Sequence, residues 1–98
     1  MSDAGARVRE LLERVAAAAG VAASVEIREG EEGVTAEYVG DDLGLLIGRH
    51  GQTIDAIQHL AYRIAFRGET DRSGVIVDAA GYRERRATAL RAAASLVA

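Results

Sequence analysis

Gly48-Arg49-His50-Gly51 is the one stretch of this 98-residue sequence whose residue types and spacing suit chemistry on a ligand. Glycines flank a two-residue turn, and because neither carries a Cβ the backbone is free to adopt positive φ or to approach another molecule closely. Arg49 supplies a permanent charge, whereas His50 adds one only when protonated. The apolar run Leu45-Leu46-Ile47 stops at the first glycine, and a helical pattern starts directly after the second. A helix N-terminus presents unpaired N–H groups and the positive end of the helix dipole, so the Gly48 to Gly51 backbone is suited to hold an anion such as phosphate. Taken alone, G-x-x-G is more often a plain structural turn between two elements than a ligand site.

The rest of the chain offers no second chemistry. There is no cysteine, hence no thiol nucleophile, disulfide or thiolate metal site. Gly44-Leu45-Leu46-Ile47-Gly48 is not followed by Lys-Ser/Thr, so it is not a P-loop, and Leu46 stands where a dinucleotide fingerprint requires glycine. His59 is isolated on a helix. No base, nucleophile and orienting group can be named together, so neither an enzyme nor a cofactor is expected. Two readings remain: a module that binds nucleic acid, and a protein-interaction or dimerisation module built on the alanine-rich helix faces at residues 16–19 and 92–94.

Composition sets the frame for both. With 49% hydrophobic and 28% charged residues, the sequence reads as one small globular domain. The first fifteen residues intersperse charges among apolar positions, unlike a signal peptide, and no run reaches membrane-spanning length, so no membrane insertion and a cytoplasmic location are expected. All twelve Lys/Arg positions are arginine, which a GC-rich genome explains better than selection for guanidinium. The net charge of −3 argues against a polyanion partner, yet its distribution does not. Residues 1–42 hold four arginines against ten acids, whereas residues 43–98 hold eight against five, so a polyanion must meet the second half.

The elements that position the loop follow from periodicity. Ser2 or Asp3 caps a first helix running to Ala19, with Val8, Leu11, Leu12, Val15 and Ala19 on its core face and Gly20 as its stop. Residues 24–29 and 34–39 alternate as two half-buried strands joined at Gly30-Glu31-Glu32-Gly33, an antiparallel hairpin with an acidic tip. Asp41 or Asp42 caps a short segment, Leu43 to Ile47, for which periodicity leaves helix and buried strand both open. A long helix from Gln52 to about Phe66 carries Ile54, Ile57, Ala61 and Ile64 on one face, with Asp55, Gln58, His59 and Arg63 as polar filler, and Gly68 stops it. Residues 69–74 form a loop, residues 75–78 a third strand, and a last helix from about Gly81 sets Tyr82, Ala89, Leu90, Ala93 and Leu96 or Val97 inward with Arg83, Arg85, Arg86 and Arg91 outside.

Residues 41–58, DDLGLLIGRHGQTIDAIQ, resemble the nucleic-acid-binding KH domain, and more narrowly the KH domain of the bacterial Jag family, the SpoIIIJ-associated proteins. Arg49 and His50 stand where that family's pattern has two basic residues. Asp78, Tyr82, Arg83 and Arg86 resemble the D-x-x-x-Y-R-x-x-R segment that follows the family's last strand. The resemblance implies an α+β, type II KH-like fold: a three-stranded sheet packed on one face by helices, in the order α-β-β-α-GxxG-α-β-α. It places the KH domain in residues 1–80 and makes residues 81–98 a C-terminal helix. Family members carry a second nucleic-acid-binding domain named for an Arg-x-x-x-His motif, which this sequence lacks, so the helix is either the start of a connection to that domain or the end of a KH-only relative.

The function so implied is a single-stranded RNA-binding module, an RNA chaperone or post-transcriptional regulator, that clamps about four nucleotides. Its RNA-binding set is Gly48, Arg49, His50, Gly51 and Gln52 for the backbone, with Leu43, Ile47 and Ile54, joined by Val39, as an aliphatic floor for the bases. Single-stranded DNA is the alternative ligand, and a dimer with itself or another KH protein the expected protein partner. With one phenylalanine and three tyrosines, aromatic stacking is not the main mode.

Overall fold

A computed structural model of the chain describes residues 1–66 and 73–97. The elements are α1 (Asp3–Ala19), β1 (Ser24–Gly30), β2 (Gly33–Val39), α2 (Gly44–Ile47), a 3₁₀ turn (Arg49–Gly51), α3 (Gln52–Ala65), β3 (Gly74–Ala79) and α4 (Tyr82–Val97). This is the α+β order expected. The helix stop at Gly68 and the loop from Glu69 lie outside the described residues.

The start of α1 is fixed twice. The Ser2 hydroxyl accepts from Gly5 N at 3.0 Å as an N-cap, and it also donates to the Glu29 carboxylate at the end of β1. That hydroxyl, with Ser2 N, holds the Glu29 carboxyl below the usual carboxylate range. Gly20, at φ 72°, ends the helix in the left-handed conformation.

β1 and β2 pair antiparallel from Ser24↔Val39 to Gly30↔Gly33, leaving Glu31-Glu32 as the hairpin turn. β3 joins the other edge of β2 and runs parallel to it, from Gly33↔Gly74 to Tyr38↔Ala79. A parallel pair needs a crossover, and α2, the glycine turn and α3 are that crossover. One face of the sheet, with Val25, Val34, Ala36, Tyr38, Val75, Val77 and Ala79, is buried against Val8, Leu12 and Ala16 of α1 and Ile54, Ile57, Ala61 and Ala65 of α3. Leu43 and Leu46 close the core from the α2 side.

Three expectations fail in detail. Neither Asp41 nor Asp42 caps α2: Leu43, drawn into the core, occupies the cap position without a side-chain hydrogen bond. Ala19 is exposed, and the core stripe of α1 runs Gly5, Val8, Leu12, Ala16 instead. In α4, residues 88–96 are all exposed, including Ala89, Leu90, Ala93 and Leu96, because a stripe made largely of alanine offers too little apolar area to hold the helix down.

Tyr38 ties the sheet to α1. Its side chain is fully buried and its hydroxyl donates to Leu12 O at 2.6 Å. Burial pushes the phenol from its ordinary value of 10 up to about 12. The folded chain therefore holds this proton more tightly than the unfolded chain, so the tyrosine's contribution is whole below about pH 10 and is lost as pH rises toward 12. The difference in unfolding free energy between wild type and Tyr38→Phe, measured by urea titration, is expected to shrink by about 2 kcal/mol between about pH 9.5 and 12. An unchanged difference would mean that the phenol ionises freely in the fold.

Candidate nucleic-acid interface

Between α2 and α3 the chain turns through the left-handed region three times in four residues: Gly48 has φ 75°, His50 φ 57° and Gly51 φ 79°. Arg49 lies between them at negative φ. Backbone that alternates hands in this way gathers N–H groups into a concavity suited to anions. Gly51 N donates to Gly48 O at 3.2 Å and closes the turn, whereas among the described residues the N–H groups of Arg49 and His50 meet no backbone acceptor. Both side chains are exposed. Left-handed backbone at His50 leaves no mark in the residue pattern, although histidine is among the few non-glycine residues enriched there.

The two glycines are needed for space as well as for φ. A Cβ on Gly48 would lie 2.2 Å from Thr53 Oγ1, and one on Gly51 would lie 2.5 Å from the Tyr82 hydroxyl. The first glycine thus seats the loop on the first turn of α3 and the second seats it on the first residue of α4. Tyr82 is in this way part of the loop's support.

The predicted site residues divide by burial. Arg49, His50 and Gln52 are exposed around the turn, and Gly51 is buried beneath Tyr82. Ile47 is half-buried and Val39, 42% exposed, offers apolar surface. Leu43 (5%) and Ile54 (0%) lie in the core, so they anchor α2 and α3 rather than present surface. The largest exposed aliphatic near the turn, Leu45 at 70%, shares its depression with Asp41 and Asp42, a setting that repels phosphate.

Beyond the turn, a polar bracket crosses from α3 to β3. Arg83, expected to point outward, turns inward: Nε donates to Val77 O at 3.0 Å, one terminal nitrogen to Asp55 at 2.8 Å and the other to Gln58 Oε1 at 3.0 Å. Gln58 Oε1 also accepts from Val77 N at 2.9 Å. Asp78 starts α4, its Oδ1 accepting from Ala79 N (2.8 Å) and Arg83 N (3.3 Å), after a left-handed Ala80-Gly81 turn. The spacing Asp78, Tyr82, Arg83 carried the signal for this bracket, but the partners Asp55 and Gln58 are not adjacent in sequence and read as polar filler.

Among the described residues, no three His, Cys, Asp or Glu side chains come together to hold a metal, and no helix is long and apolar enough to cross a membrane. His59 is exposed on α3.

With this geometry in view, residues 6–78 match the family model described as KhpA/KhpB, KH domain. The RNA-binding protein KhpB of Clostridium symbiosum is 38% identical over 91 residues, which cover 91% of this chain and 41% of that protein. The RNA-binding protein KhpB of Lactiplantibacillus plantarum is 38% identical over 72 residues, covering 74% of this chain and 22% of that protein. The chain spans less than half the length of these curated relatives.

Gly51→Val meets both constraints at once, a β-branched residue at positive φ and a collision with Tyr82, and is expected to lower the unfolding free energy by about 3 kcal/mol. In a Tyr82→Ala background the same change should cost about 1 kcal/mol less, read from denaturant titrations of the four variants in a double-mutant cycle. An equal penalty in both backgrounds would mean that backbone conformation alone demands the glycine.

Proposed function

The chain belongs to the KhpA/KhpB KH-domain family, and on that premise we propose that it binds single-stranded RNA, holding the sugar-phosphate backbone at Gly48 to Gly51. The observation that carries this reading is the turn itself, where left-handed backbone, N–H groups without a backbone acceptor and two exposed basic side chains coincide. A phosphate seated there takes hydrogen bonds from the backbone and from Gln52, a charge-assisted bond from Arg49, and a further bond from His50. About four nucleotides span such a module. The bases lie on aliphatic surface at Ile47 and Val39, above Leu43 and Ile54, which keep the two helices in place. A role as RNA chaperone or post-transcriptional regulator accords with short, sequence-tolerant contacts of this kind.

The relatives support the class of ligand, since both are called RNA-binding proteins. The acidity of the whole chain limits how many phosphates it engages at once. Two or three contacts give a log-log salt slope of about −1.4 to −2.1, from roughly −0.7 per single-strand phosphate, whereas diffuse attraction by most of the second-half arginines would give about −4 or steeper.

A second reading, a protein-contact or dimerisation module, draws on the exposed end of α4. It is separated by the same assay, because such a module shows no saturable RNA binding.

Arg49→Asp combined with His50→Asp is expected to abolish RNA binding in fluorescence anisotropy. Both side chains are exposed and aspartate tolerates left-handed backbone, so stability should stay within about 0.5 kcal/mol of wild type. Wild-type affinity in the folded double variant would remove the loop from the site.

A further inference from the structure

We propose that the first turn of α4 is a second wall of the RNA cleft, in which Arg86 takes a second phosphate and the Tyr82 hydroxyl donates to an RNA oxygen. This rests on the loop reading above and extends it beyond the G-x-x-G turn. A depression of the surface beside the turn is lined by His50, Asp55, Tyr82, Arg83, Arg86 and Leu90. It joins the exposed basic loop residue to the first turn of α4.

The guanidinium groups of the described residues sort into two sets. Arg7 and Arg9 bond to carbonyls of Ala65 and Val25, Arg14 pairs with Glu10, Arg83 forms the α3 to β3 bracket, Arg85 bonds to Ala80 O, and Arg91 pairs with Glu84. Arg28, Arg49, Arg63 and Arg86 have neither hydrogen bond nor ion pair among the described residues. Of these, Arg86 lines the depression and Arg49 adjoins its His50. α4 thus commits its other described arginines to protein acceptors and leaves one uncommitted cation where the loop opens.

The lining also holds a carboxylate, Asp55, which would repel a phosphate. Its charge is countered by Arg83 at 2.8 Å, so the depression keeps a positive balance through Arg86. Tyr82 supplies the independent observation. Its hydroxyl oxygen is buried without a hydrogen-bond partner, at the residue that lies against Gly51. A buried hydroxyl left without a partner is costly, and a ligand oxygen arriving at the turn would satisfy it. A phosphate held by the loop and a second one beside Arg86 give consecutive contacts along one strand.

The test is fluorescence anisotropy of the 98-residue chain with a short labelled single-stranded RNA, over a salt series, beside thermal melting of each variant. Arg86→Gln is expected to weaken binding about fivefold and to make the log-log salt slope shallower by about 0.7, the value for one single-strand phosphate. Tyr82→Phe keeps the ring against Gly51 and is expected to weaken binding about threefold, with an unchanged slope and a melting temperature at or above wild type. A purely structural hydroxyl would lower the melting temperature and leave binding alone. Arg91→Gln, which removes an equal charge elsewhere on α4, should bind as wild type. If the Arg49→Asp/His50→Asp variant loses RNA while Arg86→Gln keeps wild-type affinity and slope, the second wall is overturned and the loop reading stands. If wild type itself binds no RNA, both fall.

Discussion

Left-handed backbone at Gly48, His50 and Gly51 is the constraint on which the candidate site depends. A single non-glycine residue in this region costs about 1–2 kcal/mol, and it persists only where the surroundings over-determine it. Here they do. Thr53 closes against Gly48 and Tyr82 against Gly51, while Leu46 and Ile54 sink the flanking helices into the core. The two apolar residues expected to touch bases, Leu43 and Ile54, are buried and anchor α2 and α3, which gives the turn between these helices rigid ends.

The Arg83 bracket serves the same end at the other side of α3. Val77 sits on the edge strand β3, and its outward N–H and C=O are taken by Gln58 and Arg83. An edge strand with free backbone groups is a template for pairing with another chain, and occupying them from within the fold blunts it. The same guanidinium neutralises Asp55 next to the loop. One side chain therefore joins two elements, protects an edge and clears a negative charge from the neighbourhood of the turn, and a lysine could not do so because it lacks the planar fork of donors.

Much of this was legible in the residues. Ser2 and Gly20 mark α1 because capping is local chemistry, and Gly30-Glu31-Glu32-Gly33 marks the hairpin because turn residues are read two at a time. The G-x-x-G turn and most of the element order followed from the same local rules, and the resemblance to KH domains supplied the fold and the helix before the turn. What escaped depended on tertiary partners. Periodicity puts Ile54 on an apolar face without saying whether that face meets solvent or core. It also gives α4 a stripe of alanines whose small area wins no partner, and it leaves Arg83 on the outside because Asp55, Gln58 and the Val77 backbone come near only after β3 has docked.

The topology of the sheet also orders events in time. β2 meets β1 across a two-residue turn, a contact between chain neighbours that forms in about 1–10 μs. Its other edge waits for β3, which arrives only after the whole excursion from Val39 to Gly74 has been folded back, and the entropy of closing that excursion is spent before any parallel pairing repays it. The glycine turn lies inside the excursion, and Tyr82, which seats Gly51, lies beyond the strand that closes it. A nascent chain can thus hold its hairpin before it holds the glycine turn in place, and the candidate site is complete only once β3 and the Tyr82 that follows it have docked.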